Sequence, residues 1–243
     1  MKNLFICLIL VAANFAIAGN LNLPVADLLK MEEGTIEFWF KSDRDLAKIK
    51  AGGKGYNHIN TLFAFKTENA GILSCNMYFN GDKGPLISVS QSFDKGKAMP
   101  LGPCQIELKS NEWYHIAYAW NGKKSILFLN GKELHECTQN AEYSVLFGKV
   151  VGNLTFGDNY GNYGLSIDEI RLSSVRRNTN ELGFNGKLSG DIYTVFLENF
   201  DTEFKPDDKT STTPVVSSNS KGIIPTAESK FVEGKFGKGM DFK

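Results

Sequence analysis

The sequence predicts an all-β chain folded as a two-sheet antiparallel sandwich of the jelly-roll type, and three observations support this. Residues 113–120, Trp-Tyr-His-Ile-Ala-Tyr-Ala-Trp, and residues 125–129, Ser-Ile-Leu-Phe-Leu, flank an Asn121-Gly122 step, the strongest short-range hairpin signal. Short aromatic and β-branched runs recur between Gly- and Asn-rich turns, as the strands of a sandwich do. Long helical periodicity is absent, and 24 glycines in 243 residues suit a fold with many tight turns.

The hairpin region, residues 111–136, organises the rest. A period of two puts Tyr114, Ile116, Tyr118 and Trp120 on one face and Trp113, His115 and Ala117 on the other. Neither face is polar. One is expected against an opposing sheet, and the other in a partly covered concavity.

At the start of the chain, Lys2, an apolar run from Leu4 and the small-residue site Ala16-Ile17-Ala18 make residues 1–18 a secretory signal peptide cleaved near Ala18. The run is shorter than the ~20 apolar residues of a membrane-spanning helix, and no later stretch is apolar enough to span. A secreted chain, extracellular or periplasmic, is expected. The 27 Lys and Arg balance the 27 Asp and Glu, so no charge excess draws the chain to nucleic acid or an anionic membrane.

Beyond the signal remain Cys75, Cys104 and Cys137, an odd number that permits one disulfide at most. Cys104 with Cys137 is the expected pair, leaving Cys75 as a small buried hydrophobe, although spacing alone does not decide it. No C-x-x-C or H-x-x-x-H spacing is present to build a zinc site.

Strands are expected over residues 35–41, 61–66, 72–80, 85–93, 105–109, 153–156 and 165–173, besides the central hairpin. Ile36, Phe38 and Phe40 share a face, with Trp39 opposite. Residues 43–60 and 92–103 read as loops, and 142–151 as irregular. Asn80-Gly81 marks a second hairpin, because Asn and Gly supply the positive φ of its turn.

Three stretches carry a family resemblance: Glu-Gly-Thr-Ile-Glu-Phe-Trp-Phe-Lys at 33–41, the central hairpin, and Leu-Ser-Ile-Asp-Glu-Ile-Arg-Leu-Ser at 165–173. In this order they resemble laminin G-like domains of the concanavalin A-like lectin/glucanase superfamily, across residues 19–177. The resemblance implies a jelly roll, and a structural calcium ion shared by Asp168 and Asp201 if the tail folds back. Each aspartate also has an ordinary reading, as an Asx turn or as an edge residue paired with Arg171.

Residues 178–190 read as a connector and 210–220, rich in Ser, Thr and Pro, as a flexible one. Residues 192–201 and 231–242 resemble the two strands that open such a module, here placed last. Either the tail, 191–243, returns to complete the same sandwich in circularly permuted order, or it begins a second module. The first alternative protects a sheet edge. It requires Lys243 near residues 19–23 and the Ile192 segment paired with the Leu165 strand.

This fold hosts hydrolases and lyases as well as binding proteins, so chemistry must be argued from residues. The hydrolase pattern E-x-D-x-x-E lacks its first and last acids around Asp168. Strand alternation is expected to send Asp168 and Glu169 to opposite faces, whereas a retaining pair stands ~5 Å apart. No G-x-S-x-G elbow occurs, and Gln139 stands where H-E-x-x-H needs its second histidine after His135. His58 and His115 are isolated, and Gly234, Gly237 and Gly239 read as turn and strand glycines. No catalytic residues are assigned.

Sugar recognition uses aromatic faces with amide and carboxylate side chains. Asp158, Asn159, Tyr160, Asn162 and Tyr163 supply both kinds, although the same composition makes an ordinary surface turn. Trp39 and Trp113 read as packing residues. The leading expectation is a non-catalytic recognition module for a glycan or cell-surface polymer. A structural or adhesion domain contacting other protein modules is the second, and a divergent hydrolase or lyase the third.

Overall fold

The computed structural model describes residues 20–43, 56–81, 83–92, 98–157, 164–201, 224–225 and 229–242. The first sheet contains β1 (Leu21–Pro24), β3 (Tyr56–Thr67), β4 (Gly71–Asn80), β5 (Gly84–Ser92), β6 (Ala98–Gln105), β10 (Val150–Phe156) and β13 (Ile224–Pro225), ordered β13-β1-β10-β3-β4-β5-β6. The second contains β2 (Glu33–Ser42), β7 (Trp113–Asn121), β8 (Lys124–Leu129), β9 (Lys132–Thr138), β11 (Leu165–Ser173), β14 (Ser229–Glu233) and β15 (Lys238–Phe242), ordered β14-β15-β11-β2-β7-β8-β9. A further strand, β12 (Thr194–Glu198), also pairs with β11, and every pairing is antiparallel.

Alternation builds the core. Ile36, Phe38 and Phe40 of β2 and Tyr114, Ile116, Tyr118 and Trp120 of β7 turn inward, where they meet Phe63, Phe65, Cys75, Met77, Leu154 and Phe156 of the first sheet. Phe38 bridges the layers edge-on, with its ring centroid 5.0 Å from Phe156 and 6.3 Å from Phe63, a geometry that suits the aromatic quadrupole. Buried polar tips are bonded: Trp120 Nε1 donates to the Lys30 carbonyl at 3.0 Å, and Tyr143 Oη donates to Ser125 Oγ at 2.6 Å.

One edge of β11 is filled by two tail strands placed end to end. Leu165, Ser166 and Ile167 pair with Phe242, Asp241 and Met240 of β15, while Ile170, Arg171 and Leu172 pair with Glu198, Leu197 and Phe196 of β12. The expected pairing of the Ile192 segment with the Leu165 strand is therefore present. Lys243 and Gly19 lie outside the described residues.

Several elements differ from expectation for local reasons. The second arm of the central hairpin splits into β8 and β9, because Asn130 and Gly131 take φ values of 49° and 74° and turn the chain. Residues 98–105, expected mostly as loop, form β6 on β5, and the expected strand at 105–109 is not formed beyond Gln105. Pro100 and Pro103 are tolerated there because β6 is an edge strand. A single helical turn, α1 (Tyr143–Phe147), occupies the expected irregular region and buries Tyr143 and Phe147.

The expected Cys104–Cys137 disulfide is absent, and all three cysteines are free thiols. Cys104 pairs with Ile87 beside the rim that carries residues 105–112, whereas Cys137 pairs with Ser125 beside the Asn121–Lys124 turn at the other end of the sandwich. A disulfide needs Cα atoms within roughly 7 Å, which two cysteines at opposite ends of the sandwich do not have. Cys75 is fully buried, as expected.

Candidate functional site

The face of the second sheet that points away from the core is covered by residues 174–192, which cross it as a strap. Ala117, Ala119, Ile126 and Phe128 form a small apolar floor, closed by Leu182 and Phe184. Phe184 lies on the β8–β9 turn, where a side chain at Gly131 would overlap its ring. The region expected to act only as a connector is thus packed structure.

Polar groups on this face fasten the strap. Glu37 Oε1 accepts from Arg171 Nε at 2.7 Å, and Glu37 Oε2 accepts from the Gly183 amide at 3.0 Å and lies 3.1 Å from His115 Nε2. Arg171 donates from its two terminal nitrogens to the carbonyls of Ser189 and Glu181, both at 2.8 Å. Arg177 forks onto Asp191 at 2.8 and 2.6 Å. Burial works to raise the Glu37 carboxyl, but the His115 hydrogen bond and the Arg171 charge outweigh it and hold the group below its ordinary value. Sequence reasoning missed this network. Its one legible trace is the period of two that puts Glu37 and Trp39 on the same face as His115.

The expectation that Asp168 and Glu169 face opposite ways is overturned. Ile167 and Ile170 both enter the core, so the two acids are consecutive outward residues; Glu169 has φ 55°, and the β2–β11 register slips between Asp168 and Arg171. This is a β-bulge, which inserts one residue and breaks the alternation. Arg171 pairs with Glu37, not with Asp168.

The bulge brings Asp168 and Asp201 to the same tail turn. Asp168 Oδ2 accepts the amides of Lys235 and Phe236 at 2.8 and 2.9 Å, and Asp201 Oδ1 accepts the Lys238 amide at 3.3 Å. Glycine is required in this turn. Gly237 has φ 96° and a side chain there would strike Asp201, while one at Gly234 would strike Asp168. Lys187, from the strap, bonds Asp201 Oδ2 and lies 3.9 Å from Glu169 Oε1. Glu169 Oε2 accepts from the Leu188 amide at 2.9 Å and from Asn199.

Burial pushes the Asp168 carboxyl up to about 6, and burial with the Asp168 charge pushes Glu169 up to about 7. The bond from Lys187 holds Asp201 below the usual carboxylate range. Among the described residues, Asp168 Oδ1 and Glu169 Oε1 are buried without a hydrogen-bond partner. Hard, unsatisfied oxygens of this kind suit calcium in chemistry. As the side chains stand, no three His, Cys, Asp or Glu among the described residues are arranged to hold one ion, and the nearby charge is the Lys187 ammonium.

The residues expected to contact sugar, Asp158, Asn159, Tyr160, Asn162 and Tyr163, lie outside the described residues. Their flanks are anchored at one end of the sandwich, where the Asp43 amide donates to the Gly164 carbonyl at 2.9 Å. The same end carries an open groove of about 900 Å³, lined by residues that include Gln105, Glu107, Glu112, Tyr114, Asn130 and Lys132. It lies where the two sheets end in the edge strands β6 and β9. Tyr114 Oη accepts from the Lys109 amide at 2.9 Å and donates to Glu112 Oε2 at 3.3 Å, which fixes one wall. Trp39 is buried on the strap side, with Lys235 Nζ 4.8 Å from its ring centre, and Lys41 Nζ stands 5.0 Å from the Trp113 ring centre.

Among solved structures, the chain is similar to a heptameric SAP-like pentraxin from Limulus polyphemus, at 12% identity over 87% of this chain and 89% of that one, with TM-score 0.48. It is also similar to a candidate carbohydrate-binding protein from Bacteroides ovatus, at 16% identity over 86% of this chain but 58% of that one, with TM-score 0.49. A third similarity is to domain 4 of an extracellular GH43 arabinanase from Geobacillus stearothermophilus in complex with arabinotriose, at 16% identity over 65% and 68% of the two chains, with TM-score 0.45. No curated protein matches by sequence. The Laminin G 3 family model, described as concanavalin A-like lectin/glucanases superfamily, matches residues 16–183. With the paired antiparallel sheets, the buried hairpin and the bulged Ile-Asp-Glu-Ile-Arg strand, this match establishes that the chain belongs to the laminin G-like family of the concanavalin A-like lectin/glucanase superfamily.

Proposed function

We propose that this is an exported, non-catalytic recognition module that binds a glycan or cell-surface polymer at the rim of its sandwich. The observation that carries the reading is the open groove at 105–134, whose Gln105, Asn130, Glu107 and Lys132 side chains offer the donors and acceptors that hydroxyl groups require. The groove also has an apolar component in Ile106, Leu129 and Leu134, suited to the carbon face of a sugar ring. Asp158, Asn159, Tyr160, Asn162 and Tyr163 are assigned to the same ligand on their residue chemistry alone. By contrast, Glu37, His115 and Glu169 are fully buried and engaged in fastening the strap, which leaves them without the access a catalytic acid or base needs.

Two structural features belong to the same proposal. Residues 19–243 act as one sandwich completed by its tail in circularly permuted order. A structural calcium ion would be held by Asp168 and Asp201, and it would supply positive charge between β11 and the tail turn. The test is a glycan array together with a reducing-sugar release assay on the ligands found. Binding without release is expected, with Glu107→Ala/Lys132→Ala weakening it roughly tenfold, a loss of about 1.4 kcal/mol. Sugar release by the wild type, or binding indifferent to the groove substitutions, refutes it.

A further inference from the structure

We infer that the outer side of edge strand β9 carries a second sugar-binding groove, and that together with the rim groove on the inner side of the same strand it holds the interior of a neutral polysaccharide chain. This rests on the recognition reading, deepens it by naming the class of ligand, and is independent of calcium.

β9 ends the second sheet, so the two grooves are separated by one strand, a width of about 5 Å. Its residues divide between them. Lys132 and Leu134 line the rim groove, whereas Glu133 and Glu136 line an open groove of about 490 Å³ on the side away from the main core. Residues three apart on a regular strand face opposite ways. Here the register slips between Leu127 and Phe128, which sets Glu133 opposite Phe128 and Glu136 opposite Ile126, the two residues of β8 that form the outer apolar floor. Both acids therefore rise beside the same floor.

The opposite wall is the first part of the strap, with Arg176, Asn178 and Thr179. It is built before any ligand arrives. The Asn178 side chain accepts the Asn180 amide at 3.0 Å, Glu181 Oε2 accepts the Asn178 amide at 2.8 Å, and the neighbouring Arg177 is buried and forked onto Asp191. Arg176 Nη2 lies 3.7 Å from Glu136 Oε2, which puts the two walls within reach of a single ligand chain. The exposed Glu133, Asn178 and Thr179 offer carboxylate, amide and hydroxyl groups to sugar hydroxyls. Charge names the class of ligand. Glu107 and Glu112 balance Lys109 and Lys132 in the rim groove, and Glu133 and Glu136 balance Arg176 and Arg177 in the outer one, so neither lining draws in a polyanion. Strand addition by a peptide is disfavoured, because Lys132, Glu133 and Glu136 charge the free edge. A sugar chain that continues over that edge reaches both grooves.

Calorimetric titration of the full chain with β-glucan, xylan, mannan and arabinan fragments, in short (disaccharide) and long (octasaccharide) forms, tests this, with polygalacturonate and dextran sulfate as charged probes. The long fragment of one neutral polymer is expected to bind roughly a hundredfold more tightly than the short one, because a second subsite meets the same chain at high effective concentration. Glu133→Ala/Thr179→Ala is expected to lower long-fragment affinity roughly tenfold and to leave short-fragment affinity unchanged. Its melting temperature should stay close to that of wild type, since both positions are exposed. Equal affinity for the two lengths, or unchanged long-fragment affinity in that variant, overturns the second groove, while a loss in Glu107→Ala/Lys132→Ala still upholds the recognition reading. Tighter binding of the charged probes overturns the neutral class. Binding of none of these probes overturns the inference, and the glycan array then decides the recognition reading by itself.

Discussion

Glu37 Oε2 and His115 Nε2 meet at 3.1 Å with both side chains fully buried, on the side of the second sheet that faces away from the main core. Such a pair endures only because Arg171 and the Gly183 amide complete the carboxylate's bonds. The contact joins β2, β7, β11 and the strap at one point, so it reports on all four.

Glu37→Ala is therefore expected to destabilise the chain by ~3–5 kcal/mol, the range for a buried ion pair that loses one member, because Arg171 remains buried without its carboxylate. Urea denaturation measures this. A cost under ~1 kcal/mol would show that the network relaxes freely into water.

The same residue sets a pH dependence. Its carboxyl in the folded chain is held below the ordinary value of 4.5, so the folded state binds that proton less tightly than the unfolded state. The contribution is complete above the unfolded value and is lost as pH falls below about 4.5 through the folded value. Melting temperature should thus drop through this acid range in wild type and drop less steeply in Glu37→Gln. Parallel curves for the two proteins count against the assignment.

Gly34 faces the Trp120 ring so closely that a Cβ would lie 2.5 Å from Trp120 Cζ2. Trp120 has no room to retreat, since it is fully buried and its indole is bonded to the Lys30 carbonyl. Gly34→Ala is expected to cost ~1–3 kcal/mol through overpacking, read from the denaturation midpoint. Near-UV circular dichroism should change as the indole shifts.

Cysteine chemistry separates by burial. Burial pushes all three thiols up, Cys75 most strongly. Mass spectrometry after alkylation of the native protein should find Cys104 and Cys137 modified slowly and Cys75 only after unfolding. Cys104→Ser/Cys137→Ser should melt within a few degrees of wild type, since no cross-link is removed. A large loss of melting temperature would reveal a disulfide in solution.

What the sequence determined by itself was local. The Asn121-Gly122 step and the alternation in 113–120 specify a hairpin with two buried faces, and 33–41 and 165–173 specify its neighbours, because turn chemistry and side-chain period act over a few residues. Which residues make the candidate ion site was half legible: Asp168 and Asp201 came from the family pattern, whereas Glu169 was assigned to the wrong face and Lys187 was not singled out. Only the tertiary structure decided those, along with the strap and the free cysteines. The Arg171–Glu37 bond spans 134 residues and the Asp168–Phe236 bond spans 68, so strand order and a single bulge at Glu169, rather than any nearby residue pattern, determine who meets whom.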